Sequence, residues 1–227
     1  MQQFQTLLLD ADNTLFDFTA GERIALETAF LQHGCPLTED IYKNYERINV
    51  DLWKKYEQGL MDRRTVIYSR FGLLFQEIGI KIDGVAFEDV YQELLGQQHI
   101  LLPNAQEVID YLHVKYKLYI VTNGVTATQM RRLKDSGLDR YMEGIFVSEA
   151  TGYQKPMKEF FDYCFERIPG FEAEKSLIIG DSLSSDIKGG NNAGIMTCWY
   201  NPLRLKKEAD IKVDYEIQSL TELYQFL

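Results

Sequence analysis

Residues 7–15 read Leu7-Leu8-Leu9-Asp10-Ala11-Asp12-Asn13-Thr14-Leu15. The apolar run from Thr6 to Leu9 is too short for a helix and too continuously apolar for a half-exposed hairpin. It predicts a strand covered on both faces. Side chains alternate along a strand, so Asp10 and Asp12, two residues apart, leave its end on the same side. An acidic turn capping the next segment would use the same residue types.

Working outward, similar short runs recur at Leu118 to Val121, Ile145 to Val147, Leu177 to Ile179 and Ile195 to Trp199. Helical periodicity lies between them. Ala105, Val108, Ile109 and Leu112 fall at i, i+3, i+4 and i+7, with Pro103 expected at the first helical position. Strand alternating with helix implies an α/β fold with a doubly wound parallel sheet. The stretch 18–99 differs, showing helix after helix: Leu26, Ala29 and Phe30; Ile41, Tyr45, Ile48 and Leu52; Ile67, Phe71, Leu74 and Ile78; then Phe87, Val90, Tyr91, Leu94 and Leu95. Four helices can close a small bundle. The expected organisation is core over 1–17, an inserted all-helical domain over 18–99, and core again over 100–227.

A second acidic cluster, Gly180-Asp181-Ser182-Leu183-Ser184-Ser185-Asp186, follows the run Leu177 to Ile179. If both strands are central and parallel, Asp10, Asp12, Asp181 and Asp186 converge. Two unit charges about 4 Å apart repel by roughly 4 kcal/mol at an effective dielectric of about 20, so the cluster needs a cation. All-oxygen ligation with no histidine nearby in sequence points to a hard metal, Mg²⁺ first. Thr122-Asn123-Gly124 offers a hydroxyl, an amide and backbone N–H groups for an anion at a helix start. Lys155-Pro156 places a cation beyond another strand.

Composition excludes several function classes. With 227 residues, 45% apolar, 13% aromatic and 26% charged, the chain is globular rather than disordered, collagenous or coiled-coil. A formal charge of −10 leaves no electrostatic footprint for a nucleic-acid polymer or an anionic membrane. No run approaches the roughly 18 apolar residues of a membrane span. The first five residues lack the basic region of a secretion signal. Cys35, Cys164 and Cys198 lack metal-type spacing and read as reduced thiols. The expected location is the cytoplasm.

Asp10-x-Asp12-x-Thr14, Thr122-Asn123-Gly124, Lys155-Pro156 and Gly180-Asp181 followed by Asp186 resemble, in order and spacing, the four motifs of the haloacid-dehalogenase-like (HAD) phosphohydrolase superfamily. The helical insertion resembles that superfamily's first-type cap domain on a Rossmann-like core. Over Asp10 to Asp17, Asn49 with Asp51-Leu52-Trp53, Gln154-Lys155-Pro156 and Asp186 to Trp199, the chain is similar to the pyrimidine 5'-nucleotidase subfamily thought to clear modified nucleotides. Most members carry valine where Tyr153 stands.

The resemblance implies that Asp10 is a nucleophile forming an aspartyl-phosphate, and that Asp12 is general acid and base. Mg²⁺ would be held by Asp10, Asp181 and the main-chain carbonyl of Asp12. Thr122, the Asn123 amide and Lys155 would hold phosphate oxygens, with Asp186 positioning Lys155 or the metal's water shell. The helical insertion would move about hinges near Phe18 and Pro103. Phe16, Asn49, Trp53 and Tyr56 are candidates to contact a pyrimidine, although aromatic residues at helical spacing also pack bundle cores. The expected substrate is a small phosphate ester, a nucleoside monophosphate, turned over by a monomer or homodimer. A sugar-phosphate phosphatase or mutase would share every catalytic residue named. A haloacid dehalogenase would need no acid at Asp12, and a phospho-receiver module would leave 18–99 unexplained.

Overall fold

The computed structural model describes residues 4–207 and 210–227. Met1-Gln2-Gln3, part of the stretch read above as lacking a basic leader, lie outside them. The chain divides into two compact units, one of Met1–Phe18 with His99–Leu227 and the other of Thr19–Gln98.

In the first unit the described residues form a parallel sheet of β1 (Thr6–Leu9), β2 (Lys117–Thr122), β3 (Gly144–Val147), β4 (Ser176–Gly180), β5 (Met196–Tyr200) and β6 (Tyr215–Ile217), in the order β3-β2-β1-β4-β5-β6. The expected strands are present, shifted by a residue or so at their ends. The edge strand β6 was not expected, because the half-buried Tyr215, exposed Glu216 and buried Ile217 make no continuous apolar run.

The α/β expectation holds because the strands are buried on both faces. Leu7, Leu9, Leu118, Ile120, Leu177 and Ile179 pack in one core, while Leu8, Tyr119, Val121 and Ile178 pack in another. That is the period-two alternation of a sheet with two covered sides.

Helices α1 (Phe18–Gln32), α2 (Glu39–Glu57), α3 (Arg63–Ile78) and α4 (Gly84–Gly96) follow β1. Side-chain caps start three of them, each accepting from a backbone N–H: Thr38 from Ile41, Asp62 from Thr65 and Asp83 from Val85. Next come α5 (Ala105–Leu112), α6 (Thr126–Ser136), α7 (Ser148–Thr151), α8 (Lys158–Phe165) and α9 (Lys188–Ala193). Pro103 does not open α5. Asn104 stands between them at φ 64°, a left-handed conformation that a helix cannot contain, so α5 begins at Ala105. α5 covers the Leu7 side of the sheet and α8, through Phe160, Phe161 and Cys164, the Leu8 side. Among the described residues no helix is long and apolar enough to cross a membrane.

Candidate active site

Register aligns the strand ends. Leu9 of β1 pairs with Ile120 of β2 and Ile179 of β4, so the residues that follow leave one edge together. The N–H of Asp10 donates to the Ile179 carbonyl at 2.9 Å, extending the pairing one residue further. Carboxylate oxygens of Asp10, Asp181 and Asp186 consequently lie within 4.8 Å of one another. This is the carboxyl edge, where open α/β sheets bind ligands.

Lys155 enters the same cluster although the residue is only 1% exposed. Its Nζ donates to Asp10 Oδ1 (2.6 Å), Asp186 Oδ1 (2.6 Å) and the Val121 carbonyl (2.8 Å), which uses the three donors of an ammonium. The backbone of Lys155 is fixed by Asn123, whose side-chain amide donates to the Lys155 carbonyl and accepts from its N–H, both at 2.9 Å. The Asn123 side chain is therefore committed to the loop. What it can turn towards a phosphate is its main-chain N–H.

Asp186 Oδ2 accepts from the Ser182 N–H at 3.1 Å. A Cβ at position 180 would run into the Asp186 carboxyl group, so glycine is required where β4 ends. Asp181 accepts from the Thr14 hydroxyl at 3.3 Å, and its carbonyl from Trp199 Nε1 at 2.8 Å.

Three negative charges against the one positive charge of Lys155 leave the cluster at a formal −2. Burial first, and then Asp186, push the Asp10 carboxyl well above the usual carboxylate range, against the pull of Lys155. The same two causes push Asp181 up to about 7. Burial opposes the charge of Lys155, but Asp10 and Asp186 outweigh it and hold the ammonium above the ordinary lysine value.

Asp12 stands beside this cluster rather than in it. Its carboxylate accepts from Arg132 through Oδ1 and from Gln129 through Oδ2, the latter at 2.8 Å. Neither partner was expected from the sequence. The signal available was the inward face of α6, where Thr128, Gln129 and Arg132 are buried with Leu133 and make that face largely polar. Thr122 ends β2 with its hydroxyl accepting from Gln129 (2.8 Å) and from the Gly124 N–H (3.3 Å).

The candidate base contacts fare differently. Phe16 does not offer a stacking face: it is fully enclosed in the core, under the Arg132 guanidinium at 4.4 Å. The Asn49 side chain is also spent, accepting from Arg70 at 3.0 Å and approaching Glu22 at 3.5 Å inside the helical unit. Tyr56 is buried, and the half-buried Trp53 meets it edge-on at 5.6 Å. Tyr153 is exposed, in a loop where Thr151 Oγ1 donates to its carbonyl at 2.8 Å and accepts from its N–H at 3.2 Å. Cys164 and Cys198 are buried free thiols and Cys35 a half-buried one.

Residues 4–194 match the family model of haloacid dehalogenase-like hydrolases. The HAD-hydrolase YfnB of Bacillus subtilis, whose crystal structure was determined bound to magnesium, is 48% identical and superposes with a TM-score of 0.94, covering 99% of this chain and 98% of that one. The pyrimidine 5'-nucleotidase PynA of Streptococcus pneumoniae is 39% identical over 99% of this chain and 95% of its own length. The pyrimidine 5'-nucleotidase YjjG of Escherichia coli is 30% identical, over 97% and 96%.

Proposed function

The chain belongs to the haloacid dehalogenase-like hydrolase family, and from that premise we propose that it is a Mg²⁺-dependent phosphatase removing the 5'-phosphate of pyrimidine nucleoside monophosphates. The observation that carries the phosphatase reading is the convergence of Asp10, Asp181 and Asp186 at one sheet edge, with the buried Lys155 bonded to Asp10 and Asp186. The two nucleotidases that the chain resembles along almost its whole length support the substrate class.

The donor set fits a hard divalent cation: oxygen ligands alone, with a formal surplus of two negative charges. Asp10, Asp181 and the main-chain carbonyl of Asp12 would hold it. When bound, Mg²⁺ neutralises charge and orients the phosphoryl group.

Lys155, bonded to Asp10 Oδ1, keeps the Asp10 carboxylate in place, and one carboxylate oxygen of Asp10 attacks phosphorus. As that O–P bond forms in line, the bond to the nucleoside oxygen breaks, and Asp12 delivers a proton to the departing oxygen. Water then attacks the aspartyl-phosphate while Asp12 takes its proton, the acyl-phosphate O–P bond breaks and phosphate leaves. Thr122 and the Asn123 N–H donate to the phosphoryl oxygens, and Lys155, its three donors already engaged, stabilises their charge through space. Asp186 keeps Lys155 in place. By the resemblance to the superfamily's cap domain, the helical unit is our candidate for substrate selection, and Trp53, its half-buried aromatic, our candidate for recognising a base.

The test is phosphate release from UMP, dUMP, dTMP, purine monophosphates and sugar phosphates, with Mg²⁺ and with EDTA. Turnover of pyrimidine monophosphates that chelation silences and Mg²⁺ restores is expected. A preference for sugar phosphates overturns the substrate class, and chelator-resistant turnover overturns the metal.

A further inference from the structure

Two buried residues of α6 organise the groups that the proposed reaction uses. Arg132 Nη1 donates to Gln129 Oε1 at 2.8 Å as well as to Asp12. A guanidinium only donates, so the amide must present its oxygen to Arg132 and its NH₂ to the opposite side. There the NH₂ meets Asp12 Oδ2 and Thr122 Oγ1, each at 2.8 Å.

The consequences reach both recipients. Thr122 Oγ1 accepts from Gln129 and from Gly124, so both lone pairs are engaged and its proton is turned outward, which makes the hydroxyl a donor. Asp12 has a donor on each oxygen and is therefore held in one rotamer. The guanidinium that anchors this chain of bonds lies over the rings of Phe16 at 4.4 Å and Phe18 at 5.5 Å, which restricts its own plane.

We propose that Gln129 and Arg132 are positioning residues that aim the Asp12 carboxylate for proton transfer and set Thr122 as a hydrogen-bond donor to the phosphoryl group. The proposal rests on the reading of Asp12 as acid and base. In the step it governs, the O–P bond from Asp10 forms, the bond to the leaving oxygen breaks, and the proton on Asp12 passes to that oxygen. An aryl leaving group departs as a stable anion and needs little of that proton. An alkyl leaving group such as a nucleoside needs it fully.

The test compares dUMP with p-nitrophenyl phosphate in the Mg²⁺-loaded wild type, Arg132→Lys and Gln129→Met, reading the rate of the first turnover by rapid mixing. Arg132→Lys keeps the charge but loses the fork, and Gln129→Met keeps the bulk but loses the amide. In both variants the fall on dUMP should exceed the fall on the aryl ester by roughly tenfold or more, part of the roughly 10²–10⁴-fold that general acid–base catalysis supplies. Equal falls on the two esters, or no fall on dUMP, overturn the positioning role. If the wild type releases phosphate from neither ester, the phosphatase reading itself fails. If the wild type is active and the ratio does not move, this inference alone falls.

Discussion

Among the described residues, two clusters of buried charge are met in different ways. In the helical unit, Arg70 binds Glu88 through two parallel bonds, Nε to Oε2 at 2.8 Å and Nη2 to Oε1 at 2.7 Å. Its Nη1 donates to Asn49 and to the Tyr45 hydroxyl, and Tyr45 and Tyr91 donate to Glu22 at 2.8 and 3.2 Å. At the sheet edge, Asp10 and Asp186 share one lysine, with an Asp181 oxygen within 4.8 Å of theirs. The first network, two carboxylates against one guanidinium, is left at a formal −1, but hydroxyl donors meet Glu22 and a bidentate ion pair meets Glu88. The second keeps a surplus of negative charge that a bound cation or added protons must relieve. Burial of charge alone therefore does not mark a site; carboxylates crowded on one another at a formal −2 do.

That contrast breaks most visibly at Asp10. Asp10→Asn should cost at least about 10³-fold in phosphate release, as expected for loss of a nucleophile. Because burial and Asp186 disfavour the Asp10 charge, the same change should leave the metal-free melting temperature unchanged or higher. Activity near wild type, or a large drop in melting temperature, would contradict the imbalance. Arg70→Met should do the reverse: a loss of about 3–5 kcal/mol in urea unfolding, because Glu88 is left buried without its counter-charge. A loss below about 1 kcal/mol would show that the helical network is not held by its ion pair.

The two regions also differ in how far the sequence reveals them. Asp10, Asp12, Thr122, Lys155 and Asp181 each follow or end a short apolar strand, or lie in a loop beyond one, so a period-two reading leads to them. The parallel sheet then supplies the register that gathers Asp10 and Asp181. Gln129 and Arg132 escape that reading, because polar residues three apart on a helix look like a solvated face until the strand they cover is known. Glu22, Tyr45, Asn49, Arg70, Tyr91 and Glu88 belong to four different helices, and only packing brings them together. Phe16 illustrates the opposite error: an aromatic residue near a nucleophile looked available to a base, whereas core packing and Arg132 enclose it. Pattern locates groups on strand ends; it does not show which side chains are already spent.

Acidity sharpens the comparison at intermediate size. Burial and Asp186 raise Asp181 to about 7 from the ordinary 3.8, so between roughly pH 4 and 7 the folded metal-free protein binds more protons than the unfolded chain. Its stability should fall as pH rises through that window. Asp181→Asn should flatten the fall, and saturating Mg²⁺ should abolish it while adding stability by linkage, about 2.7 kcal/mol at a hundredfold excess over Kd. Thermal melts at pH 4.5, 6 and 7.5, with Mg²⁺ and with EDTA, read both effects. A slope that is the same with and without metal would separate Asp181 from the cation.

The smallest effect belongs to Glu22, and it isolates what distinguishes the regions. Burial raises the Glu22 carboxyl above its ordinary 4.5, with the Tyr45 hydroxyl pulling the other way. The folded state therefore holds this proton more tightly, and the contribution of Glu22 weakens as pH climbs through the raised value. Glu22→Gln keeps an oxygen to accept from Tyr45 and Tyr91 and never ionises. It should match wild type in acid and exceed it by no more than about 1 kcal/mol near pH 7.5, the scale of one net hydrogen bond. Because Glu22 is satisfied by hydroxyl donors rather than waiting for a cation, this difference should be indifferent to Mg²⁺. A Glu22→Gln effect that disappears with Mg²⁺ would mean that the helical network, too, responds to the ion, and the division between closed and open charge would no longer hold.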